Sequence, residues 1–106
     1  MLTPLFVWQN KVLKRIDLRQ VLCLFTEGNY TKIVVSDNNF YMVRSTLAGA
    51  LKKLPPEMFI RIHRSIAVSV FYIDQVAKDH LIIHEESIPI GKQYYRSLIR
   101  RLNVIE

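Results

Sequence analysis

Three histidines and one cysteine are the side chains of this 106-residue chain best suited to bind a metal or act as a nucleophile. His80 and His84 are four residues apart in the run HLIIHEE, whose apolar β-branched residues predict a strand. On a strand that rises about 3.3 Å per residue, the two side chains share a face but stand roughly 13 Å apart. One metal ion cannot bridge that distance. We therefore expect no metal site and interpret both histidines as surface or core-edge residues.

His63 and Ser65 are two residues apart in the run RIHRS and would share one face of a strand, like half of a nucleophilic pair. Neither a nucleophile elbow nor an oxyanion loop is visible around them. The only glycines, Gly28, Gly49 and Gly91, are too widely spaced for a phosphate-binding loop. The sequence therefore predicts that the chain is not an enzyme, and a small hydrolase using His63 and Ser65 is the weakest alternative.

Cys23 is the only cysteine, so the chain can form neither an intrachain disulfide nor a cysteine-based metal site. It lies among apolar residues in the run VLCLF, where a thiol behaves as a small hydrophobic side chain. We therefore interpret Cys23 as a packing residue and predict no cofactor.

The basic residues are a better guide to function. Fifteen Lys and Arg against nine Asp and Glu leave a net charge of +6, and a basic domain of this size attracts polyanions, most commonly nucleic acid. Three clusters combine a long cationic side chain with amides, hydroxyls or aromatic rings, a mixture suited to phosphates and base edges. The clusters are Asn29, Tyr30 and Lys32 in EGNYTK; His63, Arg64 and Ser65 in RIHRS; and Lys92, Gln93 and Arg96 in GKQYYR.

Each cluster also has a purely structural interpretation. Asn29 can serve a turn with positive φ, and Arg96 can belong to a solvated helix face. In RIHRS we expect Ile62 to point inward and the aliphatic stem of Arg61 to cover the edge of the domain. Lys92 is expected in the first turn of the last helix, where backbone amides favour a phosphate. A basic protein-interaction module without DNA specificity therefore stays open as the alternative.

Runs rich in β-branched and aromatic residues predict a mainly-β domain. Asn10 and the segment 37–39 mark tight turns between strands. Ser45 or Thr46 can cap a short helix that carries Leu47, Leu51 and Leu54 and ends before the prolines at 55–56. The last segment, GKQYYRSLIRRLNVI, has a helical period. The predicted strands are LFVW, VLKRI, VLCLFT, YTKIVV, FYMVR, FYIDQVA and HLIIHEESIPI.

The chain reads as one domain over residues 1–106, since no linker or repeat divides it. No apolar run approaches the roughly 20 residues of a membrane-spanning helix, so we expect no membrane partner. The start, MLTPLFVWQNK, lacks the features of a secretory signal, which predicts a cytoplasmic protein.

The segments EGNYT, TLAGALKKLPPEMFIRIHRSIAV and IPIGKQYYRSL, in this order and spacing, resemble the LytTR family of DNA-binding domains. The resemblance implies an elongated fold of stacked antiparallel sheets with one short mid-chain helix and a C-terminal helix. It also implies the output domain of a bacterial response regulator in a two-component system. Such a domain binds imperfect direct repeats of double-stranded DNA through loops that enter the major groove.

The resemblance assigns base-reading positions to Tyr30, Arg64 and Lys92. Positions that face phosphates or lie beside the groove correspond to Asn29, Lys32, His63, Ser65, Gln93 and Arg96.

Two features depart from the family pattern. Gly91 stands where the family often has a serine, which puts one phosphate contact or the helix start in doubt. A receiver domain, which many members carry, is absent from this chain, so we expect either a fragment or a stand-alone regulator. A second copy of the chain is a further expected partner on DNA.

Overall fold

The computed structural model describes residues 3–106, so Met1 and Leu2 of the predicted domain 1–106 lie outside the described residues. Its centre is a five-stranded antiparallel sheet in the order β5-β4-β3-β7-β6. The strands are β3 (Val21–Glu27), β4 (Tyr30–Val35), β5 (Asn39–Val43), β6 (Phe59–His63) and β7 (Ile66–Ser69).

Two smaller antiparallel sheets and the helices cover this central sheet. The hairpin of β1 and β2 forms one small sheet, and the order β10-β9-β8 forms the other. The bounds are β1 (Leu5–Gln9), β2 (Val12–Ile16), β8 (Gln75–Val76), β9 (His80–Ile83), β10 (Glu86–Pro89), α1 (Leu47–Leu51) and α2 (Tyr95–Arg101), with 3₁₀ turns at Leu18–Gln20 and Val70–Tyr72.

Each face of the central sheet packs against its own hydrophobic core. Neighbouring residues of β3 point to opposite sides, so Leu24 belongs to the first core and Cys23 to the second. The first core lies beneath the β1–β2 hairpin and α1, and the second beneath β9, β10 and α2. Residues that these covering elements contribute are Val7, Ile16 and Leu47 in the first core and Leu81, Ile88 and Leu98 in the second.

The mainly-β prediction with two helices is confirmed, and the domain is elongated, with extents of 47 × 31 × 25 Å. The predicted cap of α1 is also confirmed, because the Thr46 hydroxyl accepts the Gly49 N–H at 2.9 Å. The helix ends at Leu51, while Leu54 lies in the following turn and is still buried. Among residues 3–106, no helix is long and apolar enough to cross a membrane.

The prediction of one strand over HLIIHEESIPI is wrong. His84 and Glu85 adopt positive φ values of 50° and 68° and form a tight turn between β9 and β10. The His84 N–H donates to the Asp74 carboxylate at 3.2 Å, and its ring packs edge-on against Tyr72 at 5.6 Å between centroids. His80 and His84 therefore do not share a strand. The described residues hold no group of three or more His, Cys, Asp or Glu placed to bind a metal.

The prediction of a strand over FYIDQVA holds only in part. Val70–Tyr72 forms a 3₁₀ turn, and β8 is limited to Gln75–Val76. The Ser69 hydroxyl begins the 3₁₀ turn by accepting the Phe71 N–H at 3.3 Å. The apolar run is therefore broken by a local capping interaction, which strand propensity does not register.

Cys23 allows a direct test of this packing. Burial raises the pKa of its thiol to about 12, and the negative charge of Glu86 adds to the effect. In the unfolded chain the thiol ionises at its ordinary pKa, so above about pH 9 its ionisation stabilises the unfolded state relative to the folded one. We expect the free energy of unfolding to fall by roughly 1 kcal/mol per pH unit above pH 9 relative to Cys23→Ala, measured by urea unfolding. An identical pH profile for the two proteins would contradict the burial of this thiol.

Candidate nucleic-acid interface

Three polar turns meet at one end of the central sheet. The β3–β4 turn and the β6–β7 turn are neighbours because β3 pairs with β7, and the Thr26 N–H donates to the Ser65 carbonyl at 2.9 Å. The third turn, residues 91–94, precedes α2 and is tied to β6 by the Gly91 N–H, which donates to the Ile62 carbonyl at 2.7 Å. We call these three segments the interface turns. Seven of the nine predicted site residues lie in these turns or in the strand positions directly beside them. They are Asn29, Tyr30, His63, Arg64, Ser65, Lys92 and Gln93.

The β3–β4 turn does not require a positive φ at Asn29. Positive φ occurs at Gly28, at 59°, and not at Asn29. The interpretation of Asn29 as the residue required by a positive-φ turn is therefore wrong. Its side chain and that of Tyr30, which pairs with Glu27 across the turn, are exposed to solvent.

The β6–β7 turn presents Arg64 on a braced backbone. The Ser65 N–H donates to Nδ1 of His63 at 3.1 Å, so the ring atom that faces Ser65 is engaged by the backbone. Arg61 donates from Nε to the His63 carbonyl at 3.3 Å and from Nη2 to the Arg64 carbonyl. Arg64 itself is exposed, while Ile62 is fully buried, as predicted.

Arg61 has a structural role beside the candidate site that the sequence interpretation missed. It does not merely cover the domain edge, because its guanidinium holds two carbonyl groups of the turn that carries Arg64. A β-bulge between Arg61 and His63 displaces the register of the β6–β7 pair at this point. The signal that could have revealed the role is the hairpin itself, since a tight turn leaves carbonyls that a nearby guanidinium can satisfy.

A groove of about 380 Å³ lies between the β3–β4 turn, the β6–β7 turn and the start of α1. The Thr31 hydroxyl donates to the Ser45 carbonyl at 2.8 Å and holds one wall in place. No acidic residue lines the groove among the residues that the structure describes. Its polar lining includes Asn29, Tyr30, Ser45, Thr46, Arg61 and Arg64.

The third turn differs from its prediction. Helix α2 begins at Tyr95, so Lys92 lies in the turn before the helix and not in its first turn. The Tyr94 N–H donates to the Gly91 carbonyl at 2.8 Å and closes this turn. Lys92 is exposed there, as is Arg96 on the helix that follows.

Gly91 is required by a close approach and not by its φ. A Cβ atom at this position would lie 2.9 Å from the Tyr94 ring and 3.5 Å from the His63 Cα. The family's serine at this position would therefore have to displace the Tyr94 ring.

Lys32 lies apart from the other predicted site residues. Its side chain lies on the face of the sheet that packs against the second core, with Nζ 4.4 Å from the centroid of the Phe40 ring. It lines a separate cleft with His84 and Glu86. A role for Lys32 at phosphates stays a prediction, and it would act from outside the interface groove.

The cations of the interface turns are not neutralised within the domain. In residues 3–106 the ion pairs are Arg19 with Asp17 and His80 with Asp79, and neither involves the turns. The hydrogen bonds from Arg19 hold the pKa of Asp17 below its ordinary value, and the contact with His80 does the same to the pKa of Asp79. The positive charge of Arg64, Lys92 and Arg96 is therefore available to an external anion.

Turns of this composition, gathered at one end of a basic β-rich domain, define a nucleic-acid-binding module. The family model described as the LytTr DNA-binding domain matches residues 11–103, so the chain belongs to the LytTR family of DNA-binding domains. This family is a DNA-binding one and not a catalytic one.

Known relatives and structures agree with this family. The chain is 30% identical over 95 residues to the sensory transduction protein LytT of Bacillus subtilis, covering 84% of this chain and 39% of that protein. It is 36% identical over 67 residues to an uncharacterized response regulatory protein of Vibrio cholerae, covering 60% of this chain and 26% of that protein. The chain thus spans well under half the length of these relatives.

The fold matches that of the LytTr DNA-binding domain of a methyl-accepting/DNA response regulator from Bacillus cereus. The TM-score is 0.80 at 20% identity, and the match covers 95% of this chain and 97% of that one. At this level of identity the likeness supports the fold.

The brace formed by Arg61 can be tested without DNA. We expect Arg61→Met, which keeps an apolar stem but removes the donors, to lower the free energy of unfolding by about 1 kcal/mol. The Ser65 and Thr26 amides should exchange their hydrogens faster, as measured by NMR, because the turn loses its clamp. Arg100→Met is the matched control, since Arg100 is an exposed arginine on α2. Equal exchange rates in the two variants would rule out the brace.

Proposed function

We propose that this domain recognises a specific sequence in double-stranded DNA, with the interface turns entering the major groove. The observation that supports the proposal is the gathering of three turns at one end of the sheet, two of which line a groove without acidic residues. The β3–β4 and β6–β7 hairpins are adjacent in the sheet, so their centres are about 10 Å apart, two strand spacings. That separation is comparable with the width of the major groove, about 12 Å.

The side chains divide into base readers and phosphate contacts. Arg64 is exposed at the tip of a braced hairpin, and its guanidinium can donate two parallel hydrogen bonds to the edge of a guanine. We assign Tyr30 and Lys92 to neighbouring bases, one from each flanking turn. The residues assigned to phosphates or to positions beside the groove are Asn29, Lys32, His63, Ser65, Gln93 and Arg96.

The position of His63 argues against the hydrolase alternative. Its Nδ1 accepts the backbone N–H of Ser65, so the neutral ring carries its proton on Nε2 and neither nitrogen is free to take the proton of the Ser65 hydroxyl. The second nitrogen of the ring is left for a phosphate or a base. A contact to DNA therefore suits this histidine better than catalysis.

Replacing Arg64 and Arg96 separately should distinguish recognition of a base from contact with a phosphate. We expect Arg64→Ala to lose roughly 1–3 kcal/mol of discrimination at one base pair, because the lost hydrogen bonds are made to a base edge. Arg96→Ala should lower the affinity for duplexes of all sequences about equally. Site selection from random duplexes, followed by competition binding, measures both effects. An unchanged ranking of sequences in Arg64→Ala would disprove its role as a base reader.

The salt dependence of binding should separate DNA recognition from the alternative protein-interaction module. We expect the logarithm of the affinity for the selected duplex to fall linearly with the logarithm of the salt concentration. Arg96→Ala should make this slope shallower by about 1, since one phosphate contact is removed. If selection enriches no duplex, the basic surface serves an acidic protein instead.

We infer further that the domain acts in a bacterial transcription regulator in the cytoplasm, with two copies on imperfect direct repeats. The relatives named as a sensory transduction protein and a response regulatory protein support a role in signalling. Both are more than twice as long as the matched part, so a receiver domain is the proposed partner within a longer protein. Footprinting of one and two half-sites tests the repeat arrangement.

A further inference from the structure

The outer face of the β1–β2 hairpin exposes large apolar side chains. Trp8 is 67% exposed, Phe6 52% and Leu13 49%. Trp8 lies directly opposite Leu13 in the strand pair, and Phe6 is two residues from Trp8, so all three share one face. Contiguous exposed apolar patches of this kind mark interaction surfaces more often than scattered single residues do.

A groove of about 340 Å³ opens beside this face, between β1 on one side and β5 with α1 on the other. Gln9 spans the two sides by donating from Nε2 to the Met42 carbonyl at 3.1 Å. Phe6 and Trp8 form one wall, and Ala50 and Leu54 belong to the opposite one. We call this feature the aromatic groove, and its volume suits a few apolar side chains.

No acidic side chain lines the aromatic groove among the residues that the structure describes. The β1–β2 hairpin, residues 5–16, and the segment 43–54, which form its two sides, contain no Asp or Glu. Arg44 and Lys53 line the groove itself. The basic residues of the two segments are Lys11, Lys14, Arg15, Arg44, Lys52 and Lys53.

We propose that the aromatic groove docks a segment of another protein that combines acidic side chains with apolar ones. The apolar side chains would enter between Phe6 and Leu54, and carboxylates would meet Arg44 and Lys53 at the rim. Duplex DNA could satisfy the cations but has no apolar side chain to fill the groove. The proposal uses a surface other than the interface turns, and β1 precedes the first residue matched by the family model, so it does not rest on the proposed function.

Trp8 is the only tryptophan in the chain and lines the groove, so its fluorescence reports occupancy directly. The probe is a synthetic peptide of alternating Glu and Leu residues, titrated into the intact domain. We expect a saturable blue shift of the Trp8 emission as the ring leaves water. Two control peptides, one with Lys in place of Glu and one with Ser in place of Leu, should produce no shift.

Paired variants locate the binding. Lys53→Glu should lower the affinity for the Glu–Leu peptide by roughly tenfold or more, because a like charge then faces the carboxylates of the peptide. Phe6→Ser should also weaken it, since an apolar wall is removed. Lys52→Glu and Phe71→Ser are matched controls, because Lys52 is exposed next to Lys53 without lining the groove and Phe71 is 76% exposed elsewhere. Both controls should bind like the parent domain.

Five results would overturn the proposal. They are a Trp8 emission that does not respond to the Glu–Leu peptide, an equal response to the Lys–Leu peptide, and equal binding by Lys53→Glu and Lys52→Glu. The fourth is a stronger response to single-stranded oligothymidine, which would assign the groove to nucleic acid. A blue shift that grows with protein concentration alone, with a dimer in sedimentation, would likewise replace the acidic partner by a second copy.

Discussion

Burial of both faces of the central sheet is the constraint on which the rest of the structure depends. The two cores occupy the two sides of β3, so neither side of that strand is left for a partner. Seven of the nine predicted site residues accordingly lie where the strands end or in the turn before α2, whereas Lys32 lies within β4. The interface turns therefore lie at one end of the sheet, and recognition has to work through hairpin tips.

Main-chain hydrogen bonds hold these separate turns next to one another, so that they form one continuous surface. The bond from Thr26 to Ser65 fastens the first two turns together, and the bond from Gly91 to Ile62 fastens the third. The guanidinium of Arg61 then fixes the turn that carries Arg64. Side chains held on such braced turns lose less conformational entropy on binding than side chains on a mobile loop. This is a physical reason why turns can replace a recognition helix.

The success of sequence-based prediction here depends on whether the stabilising interaction is local. The turns at Asn10 and at Asp37–Asn38 were predictable because Asn and Asp tolerate positive φ themselves. The turn at His84–Glu85 was not, since it depends on the carboxylate of Asp74, ten residues away. The predicted hairpin hinted at the role of Arg61, but the two carbonyl groups it holds are identified only in the folded turn. The roles assigned to the site residues came from the resemblance to the family. Only the direction of its side chain in the structure shows that Lys32 lies apart from the others.

The two ends of strand β4 lie beside polar residues of different charge. Strand β4 starts at the interface turns and ends near Asp37, and Asp37 and Glu86 line a cleft at that far end. Glu27 is an acidic residue that lies beside the interface turns, in the pair with Tyr30. A domain of net charge +6 attracts a polyanion. Because the ion pairs of residues 3–106 leave Arg64 and Lys92 without a carboxylate partner, the interface turns are where that attraction can lead to contact.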